Sequence, residues 1–417
     1  MPSPESFKDT DAVVKLCLCI LGGNIFYYYL QNAVWESFKL SADFFVYYSA
    51  AKAIWSGHQE LLYDSDHFRS VLGAVGPYQY PPFFAVLMAP FSVIPFNILS
   101  IAWLALNHFF MFGCVFMVWY ETNSRNIWIF LGLLLLCCFY GPVIANTHWA
   151  NVNAMVWFFM VAGWWVFKHD RPYWCGFMLA LGTIVKLFPV LLIGYFVYRR
   201  AWRVVIGAGA ALTGMTLFAM IALGGYEAHI LWFTLRVAEL NTGMGVGGTP
   251  IDQSITSFFK KLAGQGFIDP LLVRPLFWGS AIVISAASYL TCRSKPLTSP
   301  NSIYDLEYAL VALLPVLVSP AFVSFYHFAT LMTTYMILTH YLINRPDRLS
   351  PFIYIGLGIS YGLTSFGAFG GPAFSSGIMI LFQSPKLYGT LILWVIIMHL
   401  LFKIRADEKT SAAAVRT

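Results

Sequence analysis

An all-α, polytopic membrane fold is what this chain predicts, and three observations carry the prediction: composition, apolar runs of bilayer length, and a one-sided distribution of basic residues. Hydrophobic residues make up 59% of the 417 residues, charged ones 11%, and mean hydropathy is +0.69. A soluble globule has too little polar material in such a chain to clothe its surface. The net charge of +6 then belongs to orienting loops, and a nucleic-acid partner is not expected. The seven cysteines show no metal or disulfide spacing and read as small apolar fillers.

Crossing the hydrocarbon core as a helix takes about 18–22 apolar residues. The first such run, near 13–32, lacks a small-residue cleavage site and holds Asn24, so it reads as a retained span. Residues 33–80 follow as a long loop containing an amphipathic juxtamembrane helix. Residues 81–98 open on Pro81-Pro82 and carry Pro90 and Pro95, which suits a short helix in or on the interface. Spans follow near 100–120 and 127–145. Residues 154–198 are apolar apart from 168–171 and an interruption at Lys186-Leu187-Phe188-Pro189. Because Pro189 lacks an N–H and clashes with the preceding turn, the stretch divides into 154–167, 173–186 and 189–198. Further spans are expected at 204–224, 272–292, 305–322, 327–342, 351–366 and 387–402, giving about twelve segments in one domain, 1–417. Within it, a catalytic module spans about 13–224, a second long loop 225–271, C-terminal helices 272–404 and a tail 405–417.

With both termini cytoplasmic, the short connectors on the inner side collect Arg125, Lys168, Arg171, Arg199, Arg200, Arg203, Arg293, Lys295, Arg345 and Arg348, as the positive-inside rule requires. A single crossing over 173–198 would put one of the basic connectors at 168–171 and 199–203 on the wrong side. The same threading gathers Asp43, Asn151, Asn153, Lys186, Gln253 and His327 at the opposite, extracytoplasmic face of the cell membrane.

Polar groups at membrane depth are costly, so their clustering points to a site. Asp43, in Ser41-Ala42-Asp43-Phe44-Phe45-Val46-Tyr47-Tyr48, can face a polar cavity, where desolvation makes a carboxylate a stronger base; a helix N-cap fits the same position equally well. Lys186 costs roughly 2.5–3.5 kcal/mol near the bilayer centre, which an anionic partner such as phosphate would offset; snorkelling to the surface is the bland alternative. The amides of Asn146, Asn151 and Asn153 can both donate to and accept from sugar hydroxyls, or simply join helices. Glycine-rich 243–248 followed by Asp252-Gln253-Ser254 suits a mobile cover with a polar anchor, or a plain hinge and cap. His327, after Ser319-Pro320, can orient a substrate or relay a proton, or pack as a hydrogen-bonded residue.

In their order along the chain these pieces resemble glycosyltransferase family 87, the polyprenol-phosphate-mannose-dependent mannosyltransferases of the GT-C superfamily. They are Asp43 with Tyr48 and Leu62-Tyr63; Tyr80-Pro81-Pro82; Asn151-Val152-Asn153; Lys186 with Pro189 and the 199–203 connector; Gln253-Ser254; and Ser319-Pro320 with His327. The chain departs from the family pattern at Trp149-Ala150, Asp252 and Phe325-Tyr326. The resemblance implies a GT-C fold and an enzyme moving a hexose, mannose above all, from a polyprenyl-phosphate donor to a hydroxyl of a lipid or glycan acceptor, with inversion. It implies Asp43 as general base, Lys186 and His327 at the donor phosphate, and Tyr47, Tyr80, Asn151, Asn153, Gln253 and Ser254 around the substrates. No cofactor is expected; Asp252 offers a second carboxylate as an alternative route to a divalent metal, although the sequence shows no cluster of hard-oxygen ligands. The expected assembly is a monomer in contact with membrane lipids. A polyprenyl-linked glycan transporter or flippase would also use broken helices, but no internal inverted repeat is visible.

Overall fold

The computed structural model describes residues 18–64, 66, 70, 78–242, 248–292, 296–297, 303–320, 322–345 and 350–414, and among them helix is the only regular structure. That follows from the composition, because a helix satisfies its own backbone groups where no water can. Among the described residues four helices are long and apolar enough to cross a membrane: Phe96–Tyr120, Trp202–Ala222, Pro270–Thr291 and Pro385–Asp407. They turn Ile101, Phe109, Phe116, Ile206, Phe218, Ile221 and Ile282 outward, as lipid-facing surfaces do. The chain is an all-helical membrane protein with at least these four candidate spans.

The three-part reading of 154–198 matches the helices Asn153–Lys168, Pro172–Val185 and Val190–Tyr198. Elsewhere proline subdivides what hydropathy joins. Residues 127–145 form two helices, Ile127–Phe139 and Gly141–His148, bent by 65°. Pro142 has no N–H to give the Cys138 carbonyl, and its ring would strike that carbonyl in a continuous helix. Likewise 305–322 becomes Tyr304–Ala312 and a single turn, Leu314–Leu317, with Pro315 in its first turn. The final helix runs Pro385–Ala414, through most of what reads as a tail. The second loop holds the helices Glu227–Thr242 and Ile255–Gly264; its glycine-rich 243–247 lies outside the described residues.

At the centre are Tyr304–Ala312 and Leu331–Ile343, buried along almost their whole lengths. Pro172–Val185 crosses Trp202–Ala222 so closely that a Cβ on Gly176 would lie 2.1 Å from the Val204 carbonyl oxygen, and one on Gly207 2.4 Å from that of Tyr173. Only glycine permits such an approach.

Polar residues collect at both ends of the helices. At the Lys168 end of Asn153–Lys168, Lys168 Nζ lies 3.5 Å from Asp305 and 3.0 Å from His340 Nε2. Nearby, Arg199 forms a fully buried ion pair with Glu307, whose carboxylate also accepts from Tyr195 Oη at 2.9 Å. The Asn153 end is about 24 Å away along that 16-residue helix, and there the second polar group sits.

Candidate active site

Asp43 is the second residue of the helix Ala42–Trp55, whose N-cap position belongs to Ser41 and has no side-chain cap bond. The N-cap explanation of Asp43 therefore fails, and its carboxylate is directed elsewhere: Oδ2 accepts from Asn151 Nδ2 at 2.7 Å. Its backbone N–H donates to the Trp149 carbonyl at 3.1 Å, locking the helix start to the turn that presents Asn151. That turn is held by an indole N–H, Trp103 Nε1 donating to the Ala150 carbonyl at 2.8 Å. Ala150 has φ of +54°, a left-handed conformation costing an L-residue roughly 1–2 kcal/mol, in the turn that joins Gly141–His148 to Asn153–Lys168.

Asn151 and Asn153, both buried, form a bracket. Asn151 Oδ1 accepts from the Asn153 backbone N–H at 3.2 Å. Asn153 then reaches two elements at once: Nδ2 donates to the Tyr326 carbonyl at 2.9 Å, and Oδ1 accepts from Lys186 Nζ at 2.8 Å. Lys186 follows the end of Pro172–Val185 in extended conformation, φ −155° and ψ 126°, so the break ahead of Pro189 aims its stem inward. Its ammonium lies 5.1 Å from the Phe188 ring centroid and near enough to Asp43 for the two charges to attract. Snorkelling is excluded by this inward course. Burial pushes the Asp43 carboxyl above its usual range, opposed by the Asn151 hydrogen bond and then by the Lys186 charge.

Tyr80 closes the carboxylate side. Its hydroxyl lies 3.4 Å from Asn151 Nδ2 and 2.9 Å from Tyr47 Oη, and its carbonyl accepts from Tyr63 Oη at 2.7 Å. His327 stands on the lysine side, its ring edge-on to Phe188 with centroids 6.0 Å apart. Its Nδ1 accepts from the Ser324 N–H at 3.1 Å, which puts the proton of a neutral ring on Nε2 and makes that atom a donor.

Gln253 and Ser254 lie in an adjoining cluster, with their polar atoms engaged by protein. Gln253 Nε2 donates to the Pro250 and Gln383 carbonyls at 2.6 and 2.7 Å, and its backbone N–H to that of Val323 at 3.0 Å. Ser254 Oγ caps Ile255–Gly264 by accepting from Ser257 N at 3.0 Å. Asp252 Oδ1 accepts from Ser254 N and Val323 N at 3.0 and 3.2 Å. The cluster thus fastens the second loop to the segment leading to His327.

Sequence reading missed two lysines here. Lys261 is buried and donates to Asp252 O, Gln383 O and Ser384 Oγ at 3.1–3.2 Å; it sits beside Lys260 in a long loop, and nothing in the sequence sets it apart. Lys386, 1% exposed, donates to the Thr364 and Phe366 carbonyls at 2.5 and 2.8 Å and faces the Phe325 ring at 5.0 Å. Its signal was a lysine directly after Pro385 at the head of an apolar span. Among the described residues no group of three His, Cys, Asp or Glu gathers closely enough to hold a metal.

The bracket sets a proton acceptor and a cation side by side, the pairing that a displacement with an oxygen nucleophile and an anionic leaving group needs. Comparison with known proteins leads the same way. The sequence model of glycosyltransferase family 87 matches residues 78–320, more than half of the 417; the matched stretch contains Tyr80, Asn151, Asn153, Lys186, Gln253 and Ser254, while Asp43, Tyr47 and His327 join the site from outside it. The chain is 25% identical over 272 residues to a polyprenol-phosphate-mannose-dependent alpha-(1-2)-phosphatidylinositol mannoside mannosyltransferase of Mycobacterium tuberculosis, covering 59% of this chain and 62% of that one. It is 23% identical over 289 residues to a polyprenol-phosphate-mannose-dependent alpha-(1-2)-phosphatidylinositol pentamannoside mannosyltransferase of the same species, covering 67% and 63%. A mannosyltransferase of Mycolicibacterium smegmatis, named like the first, is 23% identical over 246 residues, 52% of this chain and 55% of that one. The alignments span about three fifths of the length of these curated relatives. No solved structure matches the chain. On the family match, the chain belongs to glycosyltransferase family 87.

Proposed function

We propose that the protein transfers mannose from a polyprenyl-phosphate donor to a hydroxyl of a lipid or glycan acceptor at the non-cytoplasmic membrane face, inverting the anomeric carbon. The observation that carries this reading is the Asn151-Val152-Asn153 bracket, which holds the Asp43 carboxylate at one end and the Lys186 ammonium at the other.

Asp43 takes the acceptor hydroxyl proton as the acceptor oxygen bonds to the anomeric carbon. The bond from that carbon to the phosphate oxygen breaks with its electron pair, and polyprenyl phosphate departs. A phosphate needs charge stabilisation rather than a proton on leaving, and Lys186 supplies a cation as a point charge, its remaining donors directed at phosphate oxygens; Nε2–H of His327 adds a neutral donor. A hydroxyl nucleophile needs a positioned base, and burial makes Asp43 a stronger one than a solvated carboxylate. Tyr80, Tyr47 and Asn151 border the acceptor side. Donor and acceptor classes rest on the names of the family relatives, and the extracytoplasmic orientation on the basic connectors at the opposite helix ends.

The test is transfer of radiolabelled mannose from synthetic polyprenyl-phosphate mannose to a lipid extract by purified protein, beside Asp43→Asn. Label moved by wild type and reduced by about 10²–10⁴-fold in the variant, the usual contribution of a general base, supports the reading. Equal transfer by both proteins removes Asp43 from the mechanism.

A further inference from the structure

The segment 366–384, which joins the helix Pro351–Ser365 to the final helix, differs in kind from the two long loops. Those loops carry charge throughout: Glu36, Lys39, Glu60 and Asp64 in the first, and Glu227, Asp252, Lys260 and Asp269 in the second. Between Arg348 and Lys386 the sequence has no Asp, Glu, Lys, Arg or His. Instead the segment exposes large apolar side chains together. Phe366, Phe369, Met379 and Phe382 stand open, and Ile378 is 68% exposed. Contiguous apolar surface of this kind is rare against water and marks a place of contact.

Its polar groups turn toward protein. The backbone coils into two short turns, Pro372–Phe374 and Gly377–Gln383. The Leu381 carbonyl accepts from Tyr388 Oη and that of Phe374 from Gln383 Nε2, both at 2.7 Å. The Gln265 side chain accepts from Gly377 N at 2.7 Å and donates to the Ser375 carbonyl at 3.3 Å. Irregular backbone beside lipid requires such internal partners. Two contacts fix the level of the segment. Lys386 closes its neck by donating to the Thr364 and Phe366 carbonyls, and Tyr388, which holds Leu381, belongs to the first turn of the final span. The segment thus folds back beside the head of a membrane span. Past Gln265 the apolar surface goes on: Phe267, Leu271 and Leu272 are exposed. Leu271 and Leu272 lie about three turns before the exposed Ile282 and Val283 in Pro270–Thr291, so they prolong the lipid-facing side of that span.

We propose that 366–384 is a membrane-seated loop, lying in the interface of the leaflet nearest the Asp43–Lys186 site, with Phe366, Phe369, Ile378 and Phe382 among lipid acyl chains. Through the Gln383 carbonyl, which accepts from Gln253 Nε2 and Lys261 Nζ at 2.7 and 3.2 Å, it fixes the second long loop at the bilayer surface. Interfacial segments seat their apolar side about 5–10 Å into the boundary of headgroups and acyl chains, which sets the depth to probe. Full-length protein with Cys17 and Cys19 changed to Ser, its cysteines at 114, 137, 138, 175 and 292 being buried, receives one bimane label at Ile378→Cys. The water-facing control is His58→Cys, since His58 is exposed and pairs with Glu60 in the first loop. The nanodiscs contain phosphatidylcholine with a doxyl group high on one acyl chain, and emission is titrated with iodide. The Ile378 label should lose emission to the doxyl lipid and resist iodide several times better than the His58 label. An Ile378 label that iodide quenches as readily as the control, and that doxyl lipid leaves alone, overturns the proposal. Shielding from both quenchers overturns it too, because a second copy of the chain or another protein surface then covers the segment. No turnover enters the readout, so either result stands apart from the transferase reading.

Discussion

Asn151→Ala is the perturbation that tests the bracket most sharply. It deletes the donor 2.7 Å from Asp43 Oδ2 and leaves the carboxylate buried with the Lys186 charge as its remaining support. A hydrogen bond to a charged group is worth about 1.5–3 kcal/mol. All of it favours the ionised form, so its loss drives the already raised Asp43 carboxyl further up. The acidic limb of kcat/KM, which reports the free enzyme's base, moves to higher pH. On that limb rate follows the ionised fraction, and at 1.36 kcal/mol per tenfold the loss there is about 10- to 150-fold. Above the limb the carboxylate is ionised in both proteins, and the deficit shrinks to what is lost in positioning. The substitution also strips the Asn153 N–H of its acceptor, at about 1–3 kcal/mol of stability, but that cost does not vary with pH, and thermal melts measure it separately. The assay is mannosyl transfer from polyprenyl-phosphate mannose across the pH range, with Asp43→Asn and the double variant alongside. Two residues acting through one hydrogen bond are not additive, so the double variant should lose no more than Asp43→Asn alone. A deficit equal at every pH, or a full additional loss in the double variant, refutes the reasoning.

Three further outcomes follow from the packing. Lys186→Met should lower kcat/KM for the donor by about 10²–10³-fold, the usual cost of one group that stabilises transition-state charge, and weaken inhibition by polyprenyl phosphate; Lys186→Arg should not restore either, since a planar fork does not replace a point donor to Asn153 Oδ1, and unchanged product inhibition would exclude a phosphate role. Gly176→Ala drives a Cβ to within 2.1 Å of the Val204 carbonyl and should cost about 1–3 kcal/mol or more, seen as a lower melting temperature in detergent; an unchanged melt would contradict the close crossing. Burial, opposed by Asp252, pulls the Lys261 amine down from its ordinary 10.5 to about 8, so the unfolded chain holds more protons between those values and stability rises with pH across that window; Lys261→Met should remove that part of the rise, and a melting-temperature profile between pH 8 and 10.5 identical to wild type would refute it.

The membrane class was legible because it is a property of composition, and 154–198 was legible because basic connectors and Pro189 mark its turns locally. What hydropathy could not see was where a long apolar run breaks inside: Pro142 and Pro315 kink their segments without any change in polarity, so 127–145 and 305–322 read as single spans. Asp43, Asn151, Asn153 and Lys186 were found because each is an expense at membrane depth that demands a partner. Which partner it has is a matter of tertiary geometry, and here the answer changes the chemistry. The asparagine pair, which in sequence fits sugar hydroxyls or a joint between helices alike, links a carboxylate to an ammonium, with most of its hydrogen-bonding capacity spent on protein. Gln253 and Ser254, equally conspicuous in sequence, hold the loop to the His327 segment. Lys261 and Lys386 escaped notice for the opposite reason: a lysine beside a loop or a proline looks solvated, and only packing shows that its counterpart is a ring of carbonyls. A polar residue in such a chain thus announces that it is compensated, while the identity of the compensating group, fixed by elements far apart in sequence, separates a group free to meet substrate from one that braces the site.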